Sequence, residues 1–181
     1  MLDTATIVES IGTIVQPWAD LYSSNTVLST GVIAAHILAM FVAGGMAIAA
    51  DRAILRAKPG TADAVRAVVA DLSTTHSIVV LSLALTVLSG LALLTSDFGN
   101  YAVSKIYWTK MGAFILLLGN GLRMQRAEKN VMKSLEGAPI RTAELPVPFP
   151  KQQWGGIRSS AAASLVLWLV IVLLGVILTN G

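Results

Sequence analysis

The sequence predicts an all-α membrane protein: a four-helix transmembrane bundle preceded by an N-terminal amphipathic surface helix. Three observations predict it. The 181 residues are 55% hydrophobic and only 13% charged, with a mean hydropathy of +0.72, whereas soluble domains carry about 25% charged residues. Val27 to Ala50 is a run of twenty-four residues without one charged side chain, closed by Asp51 and Arg52. As a helix it spans roughly 36 Å, enough to cross a ~30 Å hydrocarbon core with some tilt. Ser159 to Leu178 is a second apolar run with no ionisable group.

Residues 1–25 form the first predicted unit, a periplasmic amphipathic segment. Ile7, Ile11, Ile14, Val15 and Trp18 recur at helical spacing, and the charges Asp3, Glu9 and Asp20 are all negative. There is no basic start followed by a small-residue cleavage site, so this stretch does not read as a secretory signal. It reads as a surface helix whose last turn is disturbed by Pro17, with Trp18 and Tyr22 at the membrane interface.

The second unit, 26–181, holds the four predicted spans at about 27–50, 72–95, 104–122 and 159–178. Pro59-Gly60 turns the chain after the first span. Val65, Val68, Val69 and Leu72 then share a helical face, so the second helix starts before its apolar part and projects past the bilayer. SDFGNYAVSK is a short polar connection. In the third span, Lys105 and Lys110 are placed to snorkel towards water beside Tyr107 and Trp108. RMQRAEKNVMKSLEG extends that helix to Gly137, and the proline-rich ELPVPFPKQQ reads as loop. Gly44-Gly45 and Gly119-Asn120-Gly121 look like close-packing sites, with Asn120 tying helices together.

Charge placement sets the topology. Arg52, Arg56, Lys58 and Arg66 lie in one connection, and seven basic residues lie between 122 and 158. Only Lys105 and Lys110 lie on the other side. The positive-inside rule puts both basic connections in the cytoplasm and both termini in the periplasm of a bacterial inner membrane. The net charge of +3 therefore marks topology, not nucleic-acid binding. There are no cysteines, which excludes disulfides, thiolate metal sites and iron–sulfur clusters. No Walker loop, nucleophile elbow or intramembrane carboxylate pair appears. An electron carrier or accessory subunit is expected ahead of a stand-alone enzyme.

His36 lies within the uncharged run, and His76 is the one other histidine. An imidazole inside a bilayer is costly unless something binds it. Folding the first two helices at Lys58-Pro59 reflects His36 onto Leu81, about five residues from His76, an offset of roughly 7 Å. The two rings could then flank one haem iron as axial ligands. Met40, four residues from His36, and Gly44 share its helical face, and Lys110 could meet a propionate. Other readings stay open: one histidine with Met40 or Met111 as second haem ligand, copper held by His36 and Met40, a proton relay, or a histidine hydrogen-bonded to a neighbouring helix.

At His36, His76 and SKIYWTKMGAFILLLGNGLRM the chain resembles a group of four-helix bacterial membrane proteins and, more distantly, the copper-resistance-protein-D-like family. The resemblance covers roughly 27–124, and its most recognisable piece is an aromatic residue, Tyr107 or Trp108, shortly before Lys110. It implies histidines in transmembrane helices and a haem-binding or metal-handling role. Two histidines suffice for one bis-histidine haem and not for two. The expectation is a mono-haem b-type cytochrome-like protein with haem b on His36 and His76 and Met40, Gly44 and Lys110 around it. Its expected partners are the lipid bilayer, a redox partner or quinone, and a larger membrane complex or a second copy of itself. A structural or assembly subunit and a small copper-handling protein are the alternatives.

Overall fold

The computed structural model describes residues 4–58, 62–136 and 151–180; within these, the side chains of 4–5, 62–66, 71–76, 134–136, 151–153 and 179–180 lie outside the description. Nearly all of it is helical: α1 Thr4–Ser24, α2 Thr26–Arg56, α3 Ala62–Ser96, α4 Phe98–Val103, α5 Lys105–Glu136 and α6 Lys151–Asn180. Three segments, Thr26–Arg56, Ser77–Ser96 and Trp154–Leu178, are long and apolar enough to cross a membrane.

Local chemistry accounts for the boundaries. The Asn25 side chain accepts from the Leu28 N–H at 3.0 Å, an N-cap that starts α2. Helix α2 ends at Arg56, shortly before the Lys58-Pro59 step, where the proline ring disfavours helix in the residue ahead of it. The polar connection after α3 contains a short helix, α4, and the Ser104 hydroxyl accepts from the Tyr107 N–H at 3.2 Å to open α5. Helix α1 continues through Pro17 instead of breaking. It packs on α3 and α4, and the Trp18 indole N–H donates to the Ala92 carbonyl at 2.9 Å. Helix α6 begins at Lys151, eight residues ahead of the expected start. The reason is packing: Trp154 and Ile157 in this added stretch are buried with Ile54, Val69 and Val131, so the basic approach to the span is held in a helix.

Helix α2 packs along α3 and α6, and α5 packs along α6, while α3 and α5 barely meet. The order across the molecule is therefore α3–α2–α6–α5, curled so that a groove runs between α3 and α5 over a floor of α2 and α6. Two cores hold it. One joins Ile54, Val69, Val131, Trp154, Ile157 and Ala161. The other joins Ala43, Ala113, Leu117, Trp168 and Ile171. Outside them the surface is apolar: Phe41 is 77% exposed, Leu81 71%, Ile115 67% and Leu173 61%. Water would penalise such a surface and lipid would not.

Candidate functional site

The groove holds two clefts. The first, about 270 Å³, is lined by His36, Met40, Thr86, Tyr101, Tyr107, Lys110 and Met111 among apolar neighbours. His36 reaches it from α2. Its Nδ1 lies 3.0 Å from the Ser89 hydroxyl oxygen. Ser89 already donates to the Leu85 carbonyl at 2.7 Å. A hydroxyl has one proton, so Ser89 accepts and His36 Nδ1–H donates. Nε2 is then the nitrogen that carries the lone pair. A partner that fixes one ring nitrogen and frees the other is the usual support of a ligating histidine. Gly90 makes the approach possible, since a Cβ there would stand 3.3 Å from His36 Cε1.

Lys110 departs from the expected snorkelling. It turns into the cleft and lies against α6 at Gly175, where a Cβ would stand in ordinary contact with Nζ at 3.5 Å. Among the described residues the lining of this cleft contains a cation and an imidazole and no carboxylate. Tyr101 and Tyr107 close one end, with ring centroids 5.7 Å apart.

The backbone bears on the expected pairing of His36 with His76. His36 meets α3 at Ser89 and Gly90. The midpoint of positions 36 and 89, like that of 54 and 69 in the shared core, falls near residue 62 and not at 58–59. Helix α3 thus carries about two more turns than a fold at 58–59 would give it, which sets position 76 further from His36. Along the unbroken α3, the thirteen residues from Ser89 back to position 76 span roughly 20 Å. The His76 side chain itself lies outside the described residues.

The other expected site residues divide. Met40 and Lys110 line the cleft with His36. Gly44 instead packs against Trp168, whose ring carbons would lie 3.2 Å from a Cβ at that position, so it serves helix contact as its glycine pair suggested. Gly119 and Gly121 face open space and are not close-packing sites. Asn120 does tie helices, donating from Nδ2 to the Ser160 carbonyl at 2.8 Å. Among the described residues no three His, Cys, Asp or Glu side chains gather as a metal site.

The second cleft, about 390 Å³, was not anticipated. Asp51 and Glu128 line it with Gln125 and Ser164, against walls that include Leu83, Leu117, Leu122 and Trp168. Asp51 is only 3% exposed. Ser164 supplies a hydrogen bond to its carboxyl, while Oδ2 is buried without a partner. Sequence reasoning read Asp51 as the charge that closes the span. Only the α2–α6 contact could show it turned inward.

The fold and these clefts define an all-helical chain with three membrane-capable helices and polar groups gathered inside its groove. Compared with protein-family models, curated proteins and solved structures, the chain matches none.

Proposed function

We propose that the protein is a membrane-embedded, mono-haem b-type cytochrome-like electron carrier, working as a subunit or accessory of a larger redox complex. The carrying observation is the His36 cleft, where an imidazole fixed through Nδ1 by Ser89 shares an apolar site with Lys110 and Met111. These residues have the ligand chemistry for the group, and a macrocycle larger than the 270 Å³ cleft would extend along the open groove. His36 would be its one histidine ligand, Met111 on a different helix is the available second ligand, and Lys110 would neutralise a propionate. Met40 sits one turn from His36 on the same helix and is better placed to pack against the macrocycle. Haem bound there would supply a one-electron carrier. The protein's own part is to orient the imidazole, exclude water and hold a compensating cation.

Four crossings complete this reading, with α5 as the fourth. Helix α5 lies along α6, meeting it at Lys110–Gly175 and again at Asn120–Ser160. It also exposes Ile115, Leu116 and Leu122 as a lipid-facing surface. The basic connections then lie in the bacterial cytoplasm and the termini in the periplasm.

The test is an absorption spectrum of the detergent-purified protein, expressed with ample haem and recorded oxidised and dithionite-reduced. A Soret band with a sharp reduced α-band is expected, lost in His36→Ala and kept in His76→Ala. Loss in both variants would restore the two-histidine site. A featureless wild-type spectrum would retire the haem and leave an assembly subunit as the better reading.

A further inference from the structure

The two clefts carry opposite chemistry. The His36 cleft offers a cation and no carboxylate, whereas the Asp51 cleft offers two carboxyl groups and, among the described residues, no cation. Trp168 lines both and separates them. We infer that the Asp51 cleft binds a quinol, with a ring hydroxyl donating to Asp51 Oδ2.

Four features select that class of ligand. Asp51 Oδ2 is a buried acceptor without a partner, and a polar atom left so is unfavourable. Its ligand must therefore bring a donor. Glu128 lines the same space, which favours a ligand with hydroxyls over one with anionic groups or bare carbonyls. The walls of Leu83, Leu117 and Leu122 with the Trp168 ring call for a flat apolar body. The volume of about 390 Å³ suits one substituted ring and lies at the low end of ligand sites, which span roughly 300–1,000 Å³. Entry is from the bilayer, because α3 and α5 leave the groove unsealed between them.

Two other occupants fit less well. A hard divalent cation takes six or more oxygens, and aliphatic walls supply none. A partner's transmembrane helix has its backbone donors satisfied internally and would leave Oδ2 bare. The redox meaning of a quinol here rests on the electron-transfer reading above, since Trp168 would then stand between donor and haem. The binding chemistry does not depend on that reading.

The experiment is a thermal melt of the full chain in detergent, followed by circular dichroism at increasing mole fractions of decylubiquinol or decylubiquinone. A ligand that binds only the folded state raises the midpoint. The quinol should raise it saturably, and the quinone, which has no ring hydroxyl, should need at least about tenfold more to match. Asp51→Leu should abolish the shift relative to its own baseline, while Lys110→Met should retain it. If Asp51→Leu does not fold, Leu118→Trp, which fills the cleft from its wall, should abolish the shift instead. A shift that survives both cleft variants, is equal for quinone and quinol, or vanishes only in Lys110→Met would overturn the proposal. So would no shift at all. A colourless protein that shows the Asp51-dependent shift would retire the haem and keep the quinol site.

Discussion

Gly44 and Gly90 each hold an aromatic side chain close by lacking a Cβ. At Gly44 the neighbour is the Trp168 ring at 3.2 Å, and at Gly90 it is His36 Cε1 at 3.3 Å. A leucine side chain at position 44 would run into the Trp168 ring, so Gly44→Leu should destabilise the protein by about 1–3 kcal/mol, as overpacking does. Denaturant titration in mixed micelles would read this, and an unchanged midpoint would mean that α2 and α6 can part without cost. Glu128 is a second residue with a measurable signature. Burial raises its carboxyl above the ordinary 4.5, so the folded state holds the proton more tightly than the unfolded chain. Its stabilising contribution is complete below 4.5 and is lost as pH rises through the folded value. Glu128→Gln should therefore flatten the fall in stability between acidic and neutral pH. A pH profile of the melting midpoint identical to wild type would place Glu128 in water.

The contact between α5 and α6 shows how a moderately apolar helix is kept beside an apolar one. Asn120 donates to the Ser160 carbonyl, and Arg123 Nε donates to the Ser160 hydroxyl at 3.1 Å. Ser160 is 1% exposed, and both bonds are part-buried. Polar bonds between membrane helices average about 0.6 kcal/mol, and Asn120→Ala should cost that order. Ile157, fully buried between α6 and its neighbours, should cost about 2–5 kcal/mol as Ile157→Ala. The comparison asks which force holds the pair together. If Asn120→Ala proved the costlier, hydrogen bonding and not packing would dominate this interface.

At the scale of the whole molecule, the absence of native cysteines makes topology directly testable. A single cysteine at Lys133 should resist an impermeant maleimide added to intact cells, and one at Gly12 should react; the reverse pattern would invert the molecule. The membrane class, the long uncharged helix and the basic connections were legible in the sequence because hydropathy and charge are properties of the chain, summed over many residues. The continuation of α5 to Glu136 was legible for the same reason, since helical spacing repeats locally. Three features were not. Helix α6 starts at Lys151 because Trp154 and Ile157 find partners on α2, α3 and α5, and Lys110 turns inward to line a cleft that several helices build together. The depth of His36 against α3 depends on hairpin register, where one added turn moves a side chain by about 5.4 Å. Helicity and suitability to lipid thus follow from the chain alone, because each residue's solvation preference acts whatever its neighbours are. That His36 meets Ser89 and that Asp51 faces a cleft depends on the packed molecule, because register and cavities arise from contacts between helices that no single helix encodes.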